Sequence, residues 1–339
     1  MSLFLQELLK QPNVIITSRP HASLPPINLD LEAETIGFYS EQVKDYIEMA
    51  FTNRETGVVD QGTVNEVQSV LQKHWLVQSL VRIPIQLDAL CFTWKEKKAG
   101  SNSETKLDTM TALYQAIEHS LWKKDIKFPR LEKKPEHYVR NAGRSEIKRT
   151  IKAETTLLER LAFTGLSSDV IDFTSDHRDN ISELFNPLES NSNLSLDDTL
   201  ANLSFLRTSD PLSEHRNRNY HFLHLTFQEY FAARYFVQQW KARKPLEYLD
   251  LNEPEKRQIQ RMEPATFLAK HKYTARYDVL WRFVAGLLGA EREAETFFQK
   301  IEAEPLDLLG PTHQRLVMHS RWNFLSQPYT PPYKRSLTL

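Results

Sequence analysis

A mainly helical chain with one short strand near its start is what this sequence predicts, and three observations carry the prediction. Apolar residues recur at i, i+3, i+4 and i+7 spacing along most of the chain, the repeat of a helix that buries one face. Nine glycines in 339 residues are too few for an all-β protein built on many tight turns. The one run suited to a fully buried parallel strand is Val14, Ile15 and Ile16, inside PNVIITSRP at residues 12–20. Pro20 closes that run, and Arg19 falls at the strand's C-terminal end, where open α/β sheets bind ligands.

The elements follow in order. Val43, Tyr46, Ile47, Ala50 and Phe51 form a helical stripe with Ser40 expected as its N-cap. Thr63 and Glu66 read as a capping box ahead of Val64, Val67, Val70, Leu71 and Trp75. Pro84 lacks an N–H and must start a helix, whose buried stripe is Leu87, Leu90, Cys91 and Trp94. Residues 95–105 are polar and read as loop. Leu107, Met110, Tyr114, Ile117 and Leu121 give a further helix, and 123–148, charged and broken by Pro129 and Pro135, reads as a linker. Leu157, Leu158, Leu161 and Ala162 mark another helix, and 173–196, rich in Ser, Asn and Asp, reads as loop. Short alternating runs flank a polar turn at 209–219, so helices, a small hairpin and a further helix suggest a winged-helix unit. Val279, Leu280, Phe283, Val284, Leu287 and Leu288 form a strong stripe with Gly289 as C-cap, and 291–303 continues as helix. The Pro-rich tail from Gln327 has little to bury and is expected to be disordered.

Composition excludes several classes. The net charge of −1 gives no field to draw the chain to nucleic acid or a membrane surface. Cys91 is the single cysteine, so no internal disulfide forms, as suits a reducing compartment. No apolar run reaches the roughly 18 to 20 residues of a membrane span. MSLFLQELLKQPN lacks the basic region and small-residue site of a signal peptide, so the expected location is cytoplasmic.

The sharpest constellation is YHFLHLTFQEYFAARYF, residues 220–236. Thr226 and Glu229 read as a capping box, with Leu225 and Tyr230 as a hydrophobic staple, so a helix is expected to start at Thr226. His224 then stands two residues before the cap, where free N–H groups and the helix dipole attract anions. The same pattern also fits a histidine that only hydrogen-bonds its backbone neighbours. His221 and His224 have HxxH spacing but no third ligand, so no metal site is expected. The basic stretch Arg144, Lys148, Arg149 and Lys152 fits a solvated helix face, and no GxSxG elbow occurs.

PNVIITSRP, IPIQLDALCFTW at 83–94 and FLHLTFQEYFAARYF at 222–236 together resemble the NACHT domain, the nucleotide-switch module of STAND ATPases and NLR-like receptors. KYTARYDVLWRFVAGLL at 272–288 and DLLGPTHQRLVMH at 307–319 resemble the helical continuation of NACHT proteins of fungal type. The resemblance implies a mainly α fold: a remnant of an α/β core strand at 1–30, a first helical domain at 31–122, a linker at 123–148, a winged-helix-like domain at 149–243, a second helical domain at 244–326 and a tail at 327–339. It implies that Arg19 is the sensor arginine for the γ-phosphate, that Pro84 packs near adenine, and that His224 contacts the β-phosphate of ADP. Arg19 equally fits a partner for a carboxylate, and Pro84 a simple helix start.

One departure matters most. A P-loop needs GxxxxGK[ST], and none of the nine glycines here is followed by lysine. Walker B acids would lie before the Val14 strand, where thirteen residues stand. The chain therefore reads as the C-terminal half of a NACHT-type protein, a regulatory or interaction fragment and not an ATPase. It needs no cofactor alone, and would meet ATP or ADP with Mg only if a P-loop domain were supplied upstream or in trans. The expected partners are proteins, including NACHT-type self-association. A nucleic-acid-binding winged-helix protein is the remaining alternative.

Overall fold

The computed structural model describes residues 7, 11, 13–15, 30–73, 75–98, 109–127, 131, 134–135, 142–185, 196–208, 213–252, 258–289, 292–307 and 310–324. They fall into two units, Met1–Gly37 and Phe38–Leu339. Among the described residues of the first unit the expected buried strand is not found. Asn13, Val14 and Ile15 lie in no strand, and Ile15 is 93% exposed. A lone extended segment has no ladder to satisfy its N–H and C=O groups, and the only sheets among the described residues are two antiparallel pairs elsewhere. Ile16, Arg19 and Pro20 lie outside the described residues.

The second unit is mainly helical. Its first helices are α1 (Ser40–Ala50), α2 (Gln61–Lys73), α3 (Trp75–Leu80), α4 (Pro84–Lys98) and α5 (Met110–Asp125). Two starts differ from the sequence reading. Tyr39, not Ser40, caps α1, and its N–H donates to Gln42 Oε1 at 2.8 Å. Helix α2 begins before Thr63, because Asp60 Oδ1 accepts from the Thr63 N–H at 3.1 Å and Asp60 also takes the Thr63 hydroxyl. A carboxylate three residues upstream outcompetes the Thr63 hydroxyl as a cap. Pro84 opens α4 as expected, and Leu87, Leu90, Cys91 and Trp94 are buried. Helix α5 starts after the Thr109 cap and runs through Lys123 to Asp125, so the first residues of the expected linker are helical; Leu107 lies outside the described residues.

Next come α6 (Arg144–Thr150), α7 (Lys152–Ser167), α8 (Ser175–Phe185), α9 (Leu196–Asn202), β1 (Leu206–Thr208), β2 (Tyr220–Phe222) and α10 (Leu225–Ala242). β1 pairs antiparallel with β2, Leu206 opposite Phe222. Phe173, between α7 and α8, bridges to Tyr220 through hydrogen bonds of 2.7 and 3.0 Å. The order is helix, extended residue, helix, helix, strand, strand, and it includes the small hairpin followed by a helix that the sequence suggested. Helix α8 corrects the loop expected over 173–196. It carries little apolar surface, and Arg178 holds it. That guanidinium, buried, pairs with Asp197, donates to the carbonyls of Arg216 (2.9 Å) and Arg218 (3.0 Å), and lies 5.1 Å from the Tyr220 ring centre. Residues 186–195 and the tail from 325 lie outside the described residues.

The remainder is a second hairpin, β3 (Leu246–Tyr248) with β4 (Gln260–Met262), then α11 (Pro264–His271), α12 (Asp278–Leu288), α13 (Arg292–Glu302) and α14 (Pro311–Phe324). Helix α12 ends at Gly289, whose φ of 63° suits glycine. One hydrophobic core runs through the unit. Its centre is the face where α10 meets α7, α12 and α5: Tyr114 lies 5.0 Å from Phe227 and 4.9 Å from Phe283 between ring centres. Gly286 lets α12 approach α5 closely, since a Cβ there would stand 2.0 Å from Thr111 Oγ1. No helix among the described residues is long and apolar enough to cross a membrane.

Candidate functional site

The Phe205 carbonyl accepts from the Leu223 N–H at 2.7 Å and fixes where β2 hands over to α10. The cap stands two residues earlier than the sequence suggests. His224 itself is the N-cap, in extended backbone, with Nδ1 accepting from the Thr226 N–H at 3.2 Å. The Thr226–Glu229 capping box and the Leu225–Tyr230 staple do not form: Leu225 is 41% exposed while Tyr230 is buried. An imidazole nitrogen with a lone pair does what a Ser or Asp oxygen does at other caps.

Thr226 is freed from capping and serves a second network. Its Oγ1 stands 2.9 Å from His224 Nδ1, accepts from Gln86 Nε2 at 3.0 Å, and shares a short hydrogen bond with Tyr114 Oη. Gln86 Nε2 also lies 3.4 Å from His224 Nδ1. Gln86 is the third residue of α4, two after Pro84. The starts of α4 and α10 thus meet, although Gln86 and His224 are 138 positions apart. Gln86 and Tyr114 are buried, Pro84 is exposed and His224 half-buried. Gln86 Oε1 is buried with no hydrogen-bond partner among the described residues. A buried acceptor left so costs on the order of 1–3 kcal/mol, which a donor arriving at the site would relieve.

Burial sets the protonation states. It holds the His224 imidazole below the usual histidine pKa and the Tyr114 hydroxyl well above the usual tyrosine value. Glu229, one turn into α10, is pushed up to about 8 by burial, with Arg282 opposing and Asp278 adding to the rise. A second network lies one turn deeper. Arg234 pairs with Glu118 and, at 3.0 Å, with Glu159, while Tyr230 Oη and Trp122 Nε1 donate to Glu118 at 2.6 and 3.2 Å. Burial pushes Glu159 up to about 7 against the pull of Arg234.

Of the three residues the sequence singles out, Pro84 and His224 stand at the two helix starts that Gln86 joins, Pro84 two positions before Gln86. Arg19 lies outside the described residues. His221 points away from this cluster, with Nδ1 3.3 Å from Asp172 Oδ1. No group of three or more His, Cys, Asp or Glu that could hold a metal occurs among the described residues. Gln86, Tyr114 and Thr226 are members that sequence reasoning missed in this role. Gln86 carried a signal, since it stands four residues before Leu90 on the buried stripe of α4, where a polar side chain needs a partner.

A family model described as a domain of unknown function, DUF7068, matches residues 62–105. The match spans Pro84 and Gln86 and reaches neither Arg19 nor His224. No curated protein matches the chain.

Proposed function

We propose that this chain is the regulatory lid of a NACHT-like nucleotide switch and not itself an ATPase. In this reading a P-loop domain, upstream or in trans, holds ATP or ADP with Mg²⁺, and the face formed by Pro84 and His224 closes over it. The observation that carries the reading is the Gln86 bridge. Pro84 and His224, the two described residues to which the resemblance gives nucleotide contacts, sit at helix starts that one glutamine ties together across 138 positions. Helix starts carry positive partial charge suited to phosphates. His224 adds a ring donor, and Pro84 offers an exposed apolar face to a base. Release of the lid would free the module for protein partners, including self-association.

The winged topology does not favour nucleic acid. The helix in the recognition position, α9, carries Asp197 and Asp198 and neither Lys nor Arg. The chain alone has no GK[ST] to cradle phosphates. It should show no ATPase activity and bind ADP more weakly than micromolar; a calorimetric dissociation constant of about 1 μM or tighter, near −8 kcal/mol, overturns that. The test of the lid is to fuse a related P-loop domain and titrate ADP. His224→Ala should weaken binding about tenfold or more, the loss of one strong hydrogen bond. His221→Ala should leave it unchanged. Equal responses of the two variants would refute the reading.

A further inference from the structure

All the hydrogen-bond contacts of the His224 ring among the described residues fall on one nitrogen. Nδ1 takes the Thr226 N–H at 3.2 Å, faces Thr226 Oγ1 at 2.9 Å and Gln86 Nε2 at 3.4 Å. A backbone N–H and an amide NH₂ can only donate, so Nδ1 must present its lone pair. The Thr226 hydroxyl closes the pattern. It accepts from Gln86 Nε2 and bonds Tyr114 Oη, so its own proton is directed at Nδ1 when Tyr114 donates. A proton on Nδ1 would point at the Thr226 N–H and undo the α10 cap.

We propose that Tyr114, Thr226 and Gln86 are positioning residues that hold His224 as the neutral Nε2–H tautomer, so that the histidine offers its ligand one hydrogen-bond donor. Such a ring suits an anionic oxygen, as on a phosphate. It does not suit a metal ion: Nδ1 is occupied, and Nε2 would have to lose its proton. Burial, which disfavours the imidazolium, acts in the same direction. The orphaned Gln86 Oε1 fits the scheme, because the amide must turn its NH₂ towards Nδ1 and Thr226 and so leaves its oxygen unpaired. The ligand half of this inference rests on the nucleotide-switch reading; the tautomer half does not.

The test uses the whole chain, labelled with ¹⁵N at histidine, with no nucleotide present. Long-range proton–nitrogen correlation between pH 6.5 and 8 should show His224 neutral, protonated on Nε2 and bare on Nδ1, with its signal identified by loss in His224→Gln. Thr226→Val should move the Nδ1 resonance towards the protonated range and raise the apparent pKa of His224, and Thr226→Ser should restore both. Gln86→Leu and Tyr114→Phe should give the same direction with smaller shifts, and they serve if Thr226→Val does not fold. A residue that only supports the fold would lower the melting temperature and leave the two nitrogens unchanged. Wild-type His224 found as Nδ1–H or imidazolium at pH 7, or nitrogens indifferent to all three changes, overturns the proposal. Adding ADP to the P-loop fusion should then move the Nε2–H signal alone. No movement there, with the tautomer pattern intact, overturns the nucleotide reading and leaves the positioning assignment standing.

Discussion

Two buried polar networks join α5 to α10 about one helical turn apart, and they end differently. The deeper one is ionic and closed. Arg234 lies between Glu118 and Glu159, and Glu118 takes further hydrogen bonds from Tyr230 and Trp122. The outer one is neutral and open. Tyr114, Thr226, Gln86 and His224 bond one another through Nδ1 and leave Nε2 and Gln86 Oε1 unused among the described residues. The closed network fixes α5, α7 and α10 against each other. The open one leaves His224 Nε2 and the buried Gln86 Oε1 without partners among the described residues, where two helices begin. In the proposed reading, stability and ligand response fall on neighbouring turns of the same helix pair, and substitutions should separate them.

The largest expected effect is on the closed side. Arg234→Met would leave Glu118 and Glu159 buried without their cation. Breaking a buried pair from one side costs about 3–5 kcal/mol, and the loss should appear as a lower denaturant midpoint. Glu159→Gln should cost less, because burial already lifts that carboxyl to about 7 and favours its neutral form. If Arg234→Met unfolds no more easily than wild type, the deeper network is not what holds these helices, and the contrast fails.

How much of this was legible in the sequence depended on which force built each part. The stripe Leu87, Leu90, Cys91 and Trp94 was readable because burial repeats with the helix period. The Tyr220–Phe222 hairpin partner and the Gly289 cap were readable from alternation and turn chemistry. Helix α8 was hidden, because Arg178 holds it through contacts that exist only once β2 and the 213–219 segment are in place. The β3–β4 pair was hidden because its strands show no apolar alternation: Gln260 and Arg261 are exposed, and β3 buries only Leu246. His224 and Pro84 were named from local pattern and resemblance, but the Gln86 bridge required the chain to fold across 138 positions. The caps at Asp60 and His224 show the finer limit: several polar side chains near a helix start compete, and geometry decides.

Glu229 stands between the two networks and offers a pH test. Its folded pKa is pushed up to about 8 from an ordinary 4.5, chiefly by burial. Between those values the unfolded chain releases the proton and the folded chain keeps it. Glu229 therefore favours the folded state least above pH 8, and stability should fall as pH rises through this window, by up to about 1.4 kcal/mol per pH unit. Arg282 and Asp278 are the charges that act on it from α12, the first lowering and the second raising its pKa. Glu229→Gln should flatten the decline and be more stable than wild type at pH 7.5 by on the order of 1–3 kcal/mol. Parallel pH profiles of the two proteins in urea would show that Glu229 is not the buried acid responsible.

On the open side the balance reverses. His224→Ala removes one cap from α10, a cost of about 1 kcal/mol, well under that of Arg234→Met. In the P-loop fusion it should nevertheless lower ADP affinity tenfold or more, while Arg234→Met, where it still folds, should change affinity little. Equal and proportional losses of stability and affinity in both variants would mean that the two networks act as one.

The smallest effect is expected at Pro84, and it is the finest probe of the open network. Alanine fits the first position of a helix, so Pro84→Ala should cost only about 0.4–1 kcal/mol, through the freer unfolded chain. Its proposed contact is with the base and not with the phosphates. In the P-loop fusion, Pro84→Ala should therefore weaken ADP a few-fold and leave inorganic pyrophosphate unchanged, whereas His224→Ala should weaken both. The pair of ligands divides the face into an apolar arm at the start of α4 and a donor arm at the start of α10. A Pro84→Ala variant that loses ADP and pyrophosphate alike would show that this residue acts through Gln86, two positions on, by shifting the amide that braces His224. The open network would then be a single phosphate-facing device, with the base held elsewhere.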